Sequence, residues 1–302
     1  MSMQETKYIW QNGTVKPWAE ATVHVLSHTL HYGGGAFEGI RFYESVQGSA
    51  IFKLDEHIDR LYYSTKAIGM KLPFTHTQIH EAIVDLVKMN DLTHGYIRPL
   101  AYYGYGNLGV SSHGNPVELA IACWPWGAYL AHDRVDVKTS KYIRVHPDST
   151  VPDAKLCGHY LNGQMASMEI INTHYHEVLL LDANGFVAEG AGENLFIVKD
   201  GALYTPTLGT ILAGITRETV IDFARHNDYT VTEKQMTLDD VYSADEAFFT
   251  GTAAEITPLR SLDDKVIGKD EVGPVTAFVK QKYADIVRGK CFEYMDGLTI
   301  VY

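Results

Sequence analysis

Asn184-Gly185 lies inside EVLLLDANGFVAE, between two short apolar runs, and no other local feature restricts the chain as much. Asn and Gly tolerate the positive φ of a tight turn, so the flanking runs must return antiparallel as a hairpin. Asn12-Gly13 reads the same way; it also opens an Asn-Gly-Thr glycosylation sequon, but without a secretion signal the turn is the preferred reading. From Lys7 to Tyr43, short β-branched segments, among them TVHVLS and GIRFYE, alternate with turn residues and read as strands. Apolar residues then fall twice at helical spacing, at Ile58, Leu61 and Tyr62 and at Ile79, Ile83, Leu86 and Val87, predicting amphipathic helices over 53–70 and 77–90. Strands resume at YIRPLAYYGYG and VELAIACW, which completes a small α+β unit over 1–124. PWGAYLAHD, with Pro125 and Gly127, marks an interdomain linker over 125–135. The larger unit, 136–302, has strands at VDVKTSKYI, EVLLLDANGFVAE and NLFIVKDGALYTP, and helices near 158–171, 216–226 and 274–287. The closing CFEYMDGLTIVY carries no pattern beyond an apolar tail.

A chain of 302 residues, 46% of them apolar, can bury a large core. Its formal charge of −12 argues against a nucleic-acid or anionic-membrane surface, which needs clustered Lys and Arg, and leaves small molecules as the expected partners. Cys123, Cys157 and Cys291 are odd in number and far apart, a pattern of the reduced cytoplasm and not of a disulfide framework. The N-terminal MSMQETKYIWQNG has no basic segment followed by an apolar core, and no run approaches the ~20 apolar residues of a membrane span.

Two motifs carry little weight. Gly104-Tyr-Gly106-Asn-Leu-Gly109 matches a dinucleotide fingerprint by letter, but SSHGNP follows where a helix must hold the pyrophosphate. His174 and His176 in THYHE have no further ligands at useful spacing, so no metal site is expected. More informative are polar residues in apolar or Gly-rich text. Lys155 sits in VPDAKLCGHYLNGQ just before a predicted helix, where a solvated lysine is the bland alternative. Glu189, in GFVAEGAGENLF, follows an apolar run and needs a cation or a proton-bearing nitrogen. LAGITRE opens an amphipathic helix at Gly214, Ile215 and Thr216, whose free N–H groups suit a phosphate, although a plain Thr cap fits the same letters. Gly251, Thr252 and Ala253 form a second turn whose backbone could approach an anion.

HYGGGAFEGIRFY, YIRPL, PWGAYL, AKLCGHYLN, EGAGENLF, AGITRE and TGTAAEITP, in this order, resemble the branched-chain aminotransferase family of fold-type IV pyridoxal-phosphate enzymes over about the first 260 residues. The resemblance implies a two-domain α+β fold like that of D-amino-acid aminotransferase, with pyridoxal 5'-phosphate in the interdomain cleft. It makes Lys155 the catalytic Schiff-base lysine, which then shuttles the substrate proton. Glu189 is implied to face the pyridine nitrogen and Tyr160 the phenolic oxygen, while Arg60, Leu212, Ile215, Thr216 and Thr252 complete the cofactor site, Arg60 as a phosphate clamp.

On the substrate side the resemblance implies aromatic walls from Tyr32, Phe37, Trp126 and Tyr129, with Gly39 in the same pocket. Arg98, with Tyr32 and Tyr129, is implied to read a γ-carboxylate, and Tyr96 with the backbone at Thr252 and Ala253 an α-carboxylate. Val110, in GYGNLGVSSHG, is implied to shape the pocket across a subunit boundary, so a homodimer or higher homo-oligomer is expected. The implied reaction is ping-pong transfer from Leu, Ile or Val to 2-oxoglutarate. D-amino-acid and (R)-amine aminotransferases and aminodeoxychorismate lyases share the lysine and phosphate cup; Tyr96-Ile97-Arg98 with GTAAEITP favours the branched-chain L-enzyme. From another class, a dinucleotide- or ligand-binding protein using GYGNLG remains the alternative.

Overall fold

The computed structural model describes residues 4–127 and 132–302. The chain divides into two compact units, one made of Met1–Gly127, Ala154–Gly158 and Asp285–Tyr302, the other of Ala128–Asp153 and His159–Ala284. This division differs from the contiguous one drawn from the sequence at two places, since 154–158 and 285–302 go with the first unit.

In the first unit, β1 (Tyr8–Gln11) and β2 (Thr14–Pro17) form the hairpin expected at Asn12-Gly13, with φ of 51° and 86° at those two residues. TVHVLS does not form a strand: it runs into a turn before α1 (His28–Tyr32), and Val23, Val25 and Leu26 are exposed. β-branched residues favour a strand only where a partner face buries them. β3 (Gly35–Phe37), β4 (Ile40–Ser45) and β5 (Gly48–Phe52) follow, then α2 (Leu54–Ala67) and α3 (His76–Met89), the two helices predicted. Thr75 begins α3 with a capping box completed by Gln78. β6 (Gly95–Tyr103) and β7 (Val117–Trp124) pair antiparallel along their whole length. The uninterpreted tail adds a strand, Leu298–Ile300, to the free edge of β5. α2 and α3 pack on one another, and bury Ile58, Leu61, Ile79, Ile83 and Leu86 completely; each such side chain contributes roughly 1.5–3 kcal/mol.

The second unit begins with β8 (Val135–Thr139), α4 (Tyr160–Met168) and β9 (Glu177–Leu181), which meets β10 (Val187–Gly190) at the predicted hairpin. The Asp182 carboxylate accepts the N–H groups of Asn184 and Phe186, shaping a connection longer than two residues. β11 (Asn194–Lys199), β12 (Ala202–Thr205), α5 (Ile215–His226), β13 (Val231–Glu233), α6 (Leu238–Tyr242), β14 (Glu246–Gly251), β15 (Glu255–Leu262), β16 (Lys265–Val266) and α7 (Pro274–Val287) complete it. Strand order is β10-β9-β8-β15-β14-β11-β12-β13, and Glu189 of β10 also pairs with Asn194 of β11, so the path closes on itself. Val135, Leu179, Val187, Leu195, Phe249 and Leu259 belong to its buried core.

Candidate active site

In the first unit the Lys155 backbone is held on both sides: its N–H donates to Ser64 Oγ at 2.9 Å, and its carbonyl accepts the Phe37 N–H at 3.1 Å. Its ammonium lies 5.0 Å from the centre of the Phe37 ring. Arg98 faces the same ring at 4.7 Å and the Tyr96 ring at 5.4 Å. Its Nε is buried with no acceptor among the described residues. A buried donor without a partner is costly, and the chemistry that fits this one is an anionic ligand.

Trp126 packs edge-on to Tyr96, 4.2 Å between ring centres. Arg41 Nη2 anchors this wall by donating to the carbonyls of Trp126 and Gly127 at 3.2 and 2.6 Å. Gly39 lies under Tyr96: a Cβ at residue 39 would stand 1.8 Å from the tyrosine hydroxyl. Thus Phe37, Gly39, Tyr96, Arg98 and Trp126 are brought together around the Lys155 segment. The Cys157 thiol, also beside this group, is pushed up to about 11 by burial, against the opposing pull of the Arg98 charge.

Arg60 meets a residue that the sequence reading did not single out. The Glu38 carboxylate, wholly buried, accepts Arg60 Nε at 2.7 Å and Nη2 at 2.8 Å, and lies 2.7 Å from His57 Nδ1. His57, Arg60 and Ser64 are three and four residues apart on α2 and so share one face. Burial alone would raise the Glu38 carboxyl, but the charge and hydrogen bonds of Arg60, with the His57 hydrogen bond, hold it far below the usual carboxylate range. Burial lowers His57, against the pull of Glu38. Glu38 is therefore held as an anion, accepting from Arg60 and hydrogen-bonded to His57.

Tyr32 and Val110 are exposed, Val110 at 87%. His28 links their segments: its ring lies 4.6 Å from that of Tyr32, and its Nε2 is 2.8 Å from the Gly109 carbonyl. Tyr129 lies outside the described residues.

In the second unit Glu189 is buried with three donors. Arg144 Nε donates to Oε1, while Asn194 Nδ2 and the Leu212 N–H each donate to Oε2 at 3.0 Å. Arg144 Nη2 also holds the Pro152 carbonyl at 3.0 Å. Leu212 is thus a backbone partner of Glu189, and its carbonyl accepts from Asn194 at 2.9 Å. Gly214 caps α5 where a Cβ would stand 2.0 Å from Asn194 Oδ1. Ile215 and Thr216 follow, buried, in the first turn of this helix. α5 packs on β14, the strand that leads into the half-buried turn of Thr252 and Ala253. Such a helix start suits a phosphate. Tyr160 is the first residue of α4 and half-buried.

Two of the weaker motifs resolve structurally. No helix follows Gly109; residues 111–116 lead directly into β7. His174 pairs with Asp264, and His176 Nδ1 accepts the Asp136 N–H. The sequence reading missed Glu38, His57, Ser64, Arg144 and Asn194. An acid inside the Gly-rich, apolar HYGGGAFEGI carries the same signal that singled out Glu189; the others lack one.

The amino-transferase class IV family model matches residues 35–262. The branched-chain-amino-acid aminotransferase of Pseudomonas aeruginosa is 44% identical over 297 residues, 97% of each chain. Among solved structures, that of the branched-chain aminotransferase from the thermophilic archaeon Thermoproteus uzoniensis with norvaline is 41% identical and superimposes with a TM-score of 0.95, over 99% of this chain and 100% of that one. The branched-chain amino acid aminotransferase from Thermobaculum terrenum, solved in its PLP-form, is 36% identical with a TM-score of 0.93, over 98% of this chain and 99% of that one. The chain belongs to the class IV amino-transferases, as a member of the branched-chain-amino-acid aminotransferase family.

Proposed function

We propose that the protein moves the amino group of L-leucine, L-isoleucine or L-valine to 2-oxoglutarate, using pyridoxal 5'-phosphate. The observation that carries this reading is Arg98, whose guanidinium carbon lies over the Phe37 ring that Lys155 also faces and whose buried Nε has no acceptor among the described residues. Aromatic walls suit a branched side chain, and an arginine among them suits the second carboxylate of glutamate. When bound, the cofactor supplies a carbonyl that accepts an amine and a pyridine ring that takes up electrons.

The remaining roles belong to the chain's own residues. Lys155 supplies the reactive amine and carries the proton to and from the substrate Cα. Glu189, fixed by Arg144, Asn194 and Leu212, holds a proton on the ring nitrogen. Tyr160 hydrogen-bonds the phenolic oxygen, and Arg60 with Ile215, Thr216 and Thr252 holds the phosphate. Tyr96 with the Thr252 and Ala253 backbone takes the α-carboxylate; Arg98, with Tyr32 and Tyr129, takes the γ-carboxylate. Phe37, Gly39, Trp126 and Val110 shape the side-chain pocket. The exposure of Tyr32 and Val110 supports a homo-oligomer in which a neighbouring copy's loop completes each pocket. Three widely separated free cysteines support a cytoplasmic location.

A steady-state assay tests the reading. Glutamate should form from 2-oxoglutarate with each of the three amino acids, with parallel double-reciprocal lines. Absence of glutamate with all three, in protein loaded with the cofactor, contradicts it.

A further inference from the structure

We infer that Glu38 is the positioning residue of the phosphate site, fixing the direction of the Arg60 guanidinium before any ligand arrives. The inference rests on the reading of Arg60 as a phosphate ligand. Arginine on a helix has several rotatable bonds, and its freedom must be lost before it can bind an anion in a fixed geometry. Glu38 removes that freedom in advance, because its two oxygens engage Nε and Nη2 of the same planar fork. His57, one turn earlier on α2, meets the same carboxylate and fixes its plane in turn.

The position of Glu38 in the chain adds a second constraint. Its neighbour Phe37 donates its N–H to the Lys155 carbonyl, and Ser64, one turn beyond Arg60, accepts the Lys155 N–H. One stretch of backbone and one helix face therefore set the spacing between the reactive lysine and the arginine. Glu38 also supplies the buried counter-charge, so Arg60 is compensated without phosphate. A carboxylate beside an anion site costs some attraction. The fork geometry outweighs this cost only if Glu38 acts through Arg60, and that condition is measurable.

The experiment titrates apoprotein with pyridoxal phosphate and with pyridoxal, and takes the ratio of dissociation constants as phosphate preference. It covers the wild type, Glu38→Gln, Arg60→Gln and the double variant. Each single substitution should lower the preference by about tenfold or more, the scale of a lost charge-assisted hydrogen bond, and the double variant should lose no more than the larger single loss. An unchanged or increased preference in Glu38→Gln, or additive losses, overturns the role of Glu38. An unchanged preference in Arg60→Gln instead removes Arg60 from the phosphate, and the inference with it. Should Glu38→Gln fail to fold, Glu38→Asp decides: a reduced preference and a displaced ³¹P resonance of the bound cofactor are expected, and wild-type values of both overturn the proposal.

Discussion

Ser64 Oγ accepts the backbone N–H of Lys155, 91 positions away in sequence, at 2.9 Å. Ser64 is fully buried on α2, so its hydroxyl fixes the lysine segment against a helix and not against a mobile side chain. Ser64→Ala leaves the Lys155 N–H without this acceptor, at a cost of about 1–3 kcal/mol in stability. Turnover should fall by about tenfold or more while KM changes little, since misplaced reacting groups lose rate first. Denaturant unfolding and steady-state kinetics on the same sample check both parts.

Removing the reactive amine is more drastic. Lys155→Ala should abolish turnover and the visible absorption band of cofactor-loaded protein while leaving the far-UV circular dichroism unchanged, because the Lys155 side chain is not part of the buried core. An active Lys155→Ala variant removes Lys155 from the mechanism.

Glu189→Gln should preserve cofactor binding yet lower the rate roughly a hundredfold or more, the range for losing a proton-holding group. Arg144→Met should show the same kinetic direction, because Arg144 fixes Glu189 and ties it to the Pro152 carbonyl. Unchanged single-turnover rates in both variants would take Glu189 out of its assigned role.

Gly39→Ala places a methyl group 1.8 Å from the Tyr96 hydroxyl and forces that ring to move. The expected result is a fall in kcat/KM for amino acids of about 10–100-fold, with cofactor affinity near that of wild type. Separate titrations of cofactor and amino acid distinguish a displaced Tyr96 from general unfolding.

A pH effect is expected at Glu177, at the start of β9. Burial raises its carboxyl to about 7, against the opposing hydrogen bonds of the Val178 and Ala191 N–H groups. The folded protein therefore binds this proton more tightly than the unfolded chain does. The resulting stability is full below the ordinary carboxylate range and declines as pH rises to about 7. Glu177→Gln should remove that decline, giving its largest relative stabilisation at about pH 8 and little at about pH 4. Unfolding curves with parallel pH dependence in the two proteins contradict the assignment.

The helices were legible because Ile58, Leu61, Ile79, Ile83 and Leu86 repeat their burial every three or four residues, a signal contained within each segment. Asn12-Gly13 and Asn184-Gly185 carry their turns in two letters. TVHVLS misled because β-branched composition records a preference and not a partner, and its valines face solvent. The strand Leu298–Ile300 depends on the open edge of β5, nearly 250 residues earlier in the chain, which no local pattern in the tail encodes. The site divides the same way. Glu189 was visible as an acid in apolar text, but its partner Arg144 lies 45 residues upstream in a polar segment. The Glu38–Arg60 and Ser64–Lys155 pairings are likewise products of the fold. Arg60 was placed by family resemblance alone, and the carboxylate that holds it became visible only in three dimensions.

One half-reaction separates a branched-chain L-amino-acid transaminase from its relatives of the same fold: cofactor-loaded protein without an acceptor is mixed in turn with L-leucine, D-alanine and (R)-1-phenylethylamine, and its absorption spectrum is followed. Rapid conversion of the yellow form to the amine-loaded form by L-leucine, with the other two slow, is the predicted result. Faster conversion by D-alanine or by the amine would keep Lys155 and the fold but contradict the assignment to branched-chain L-amino acids.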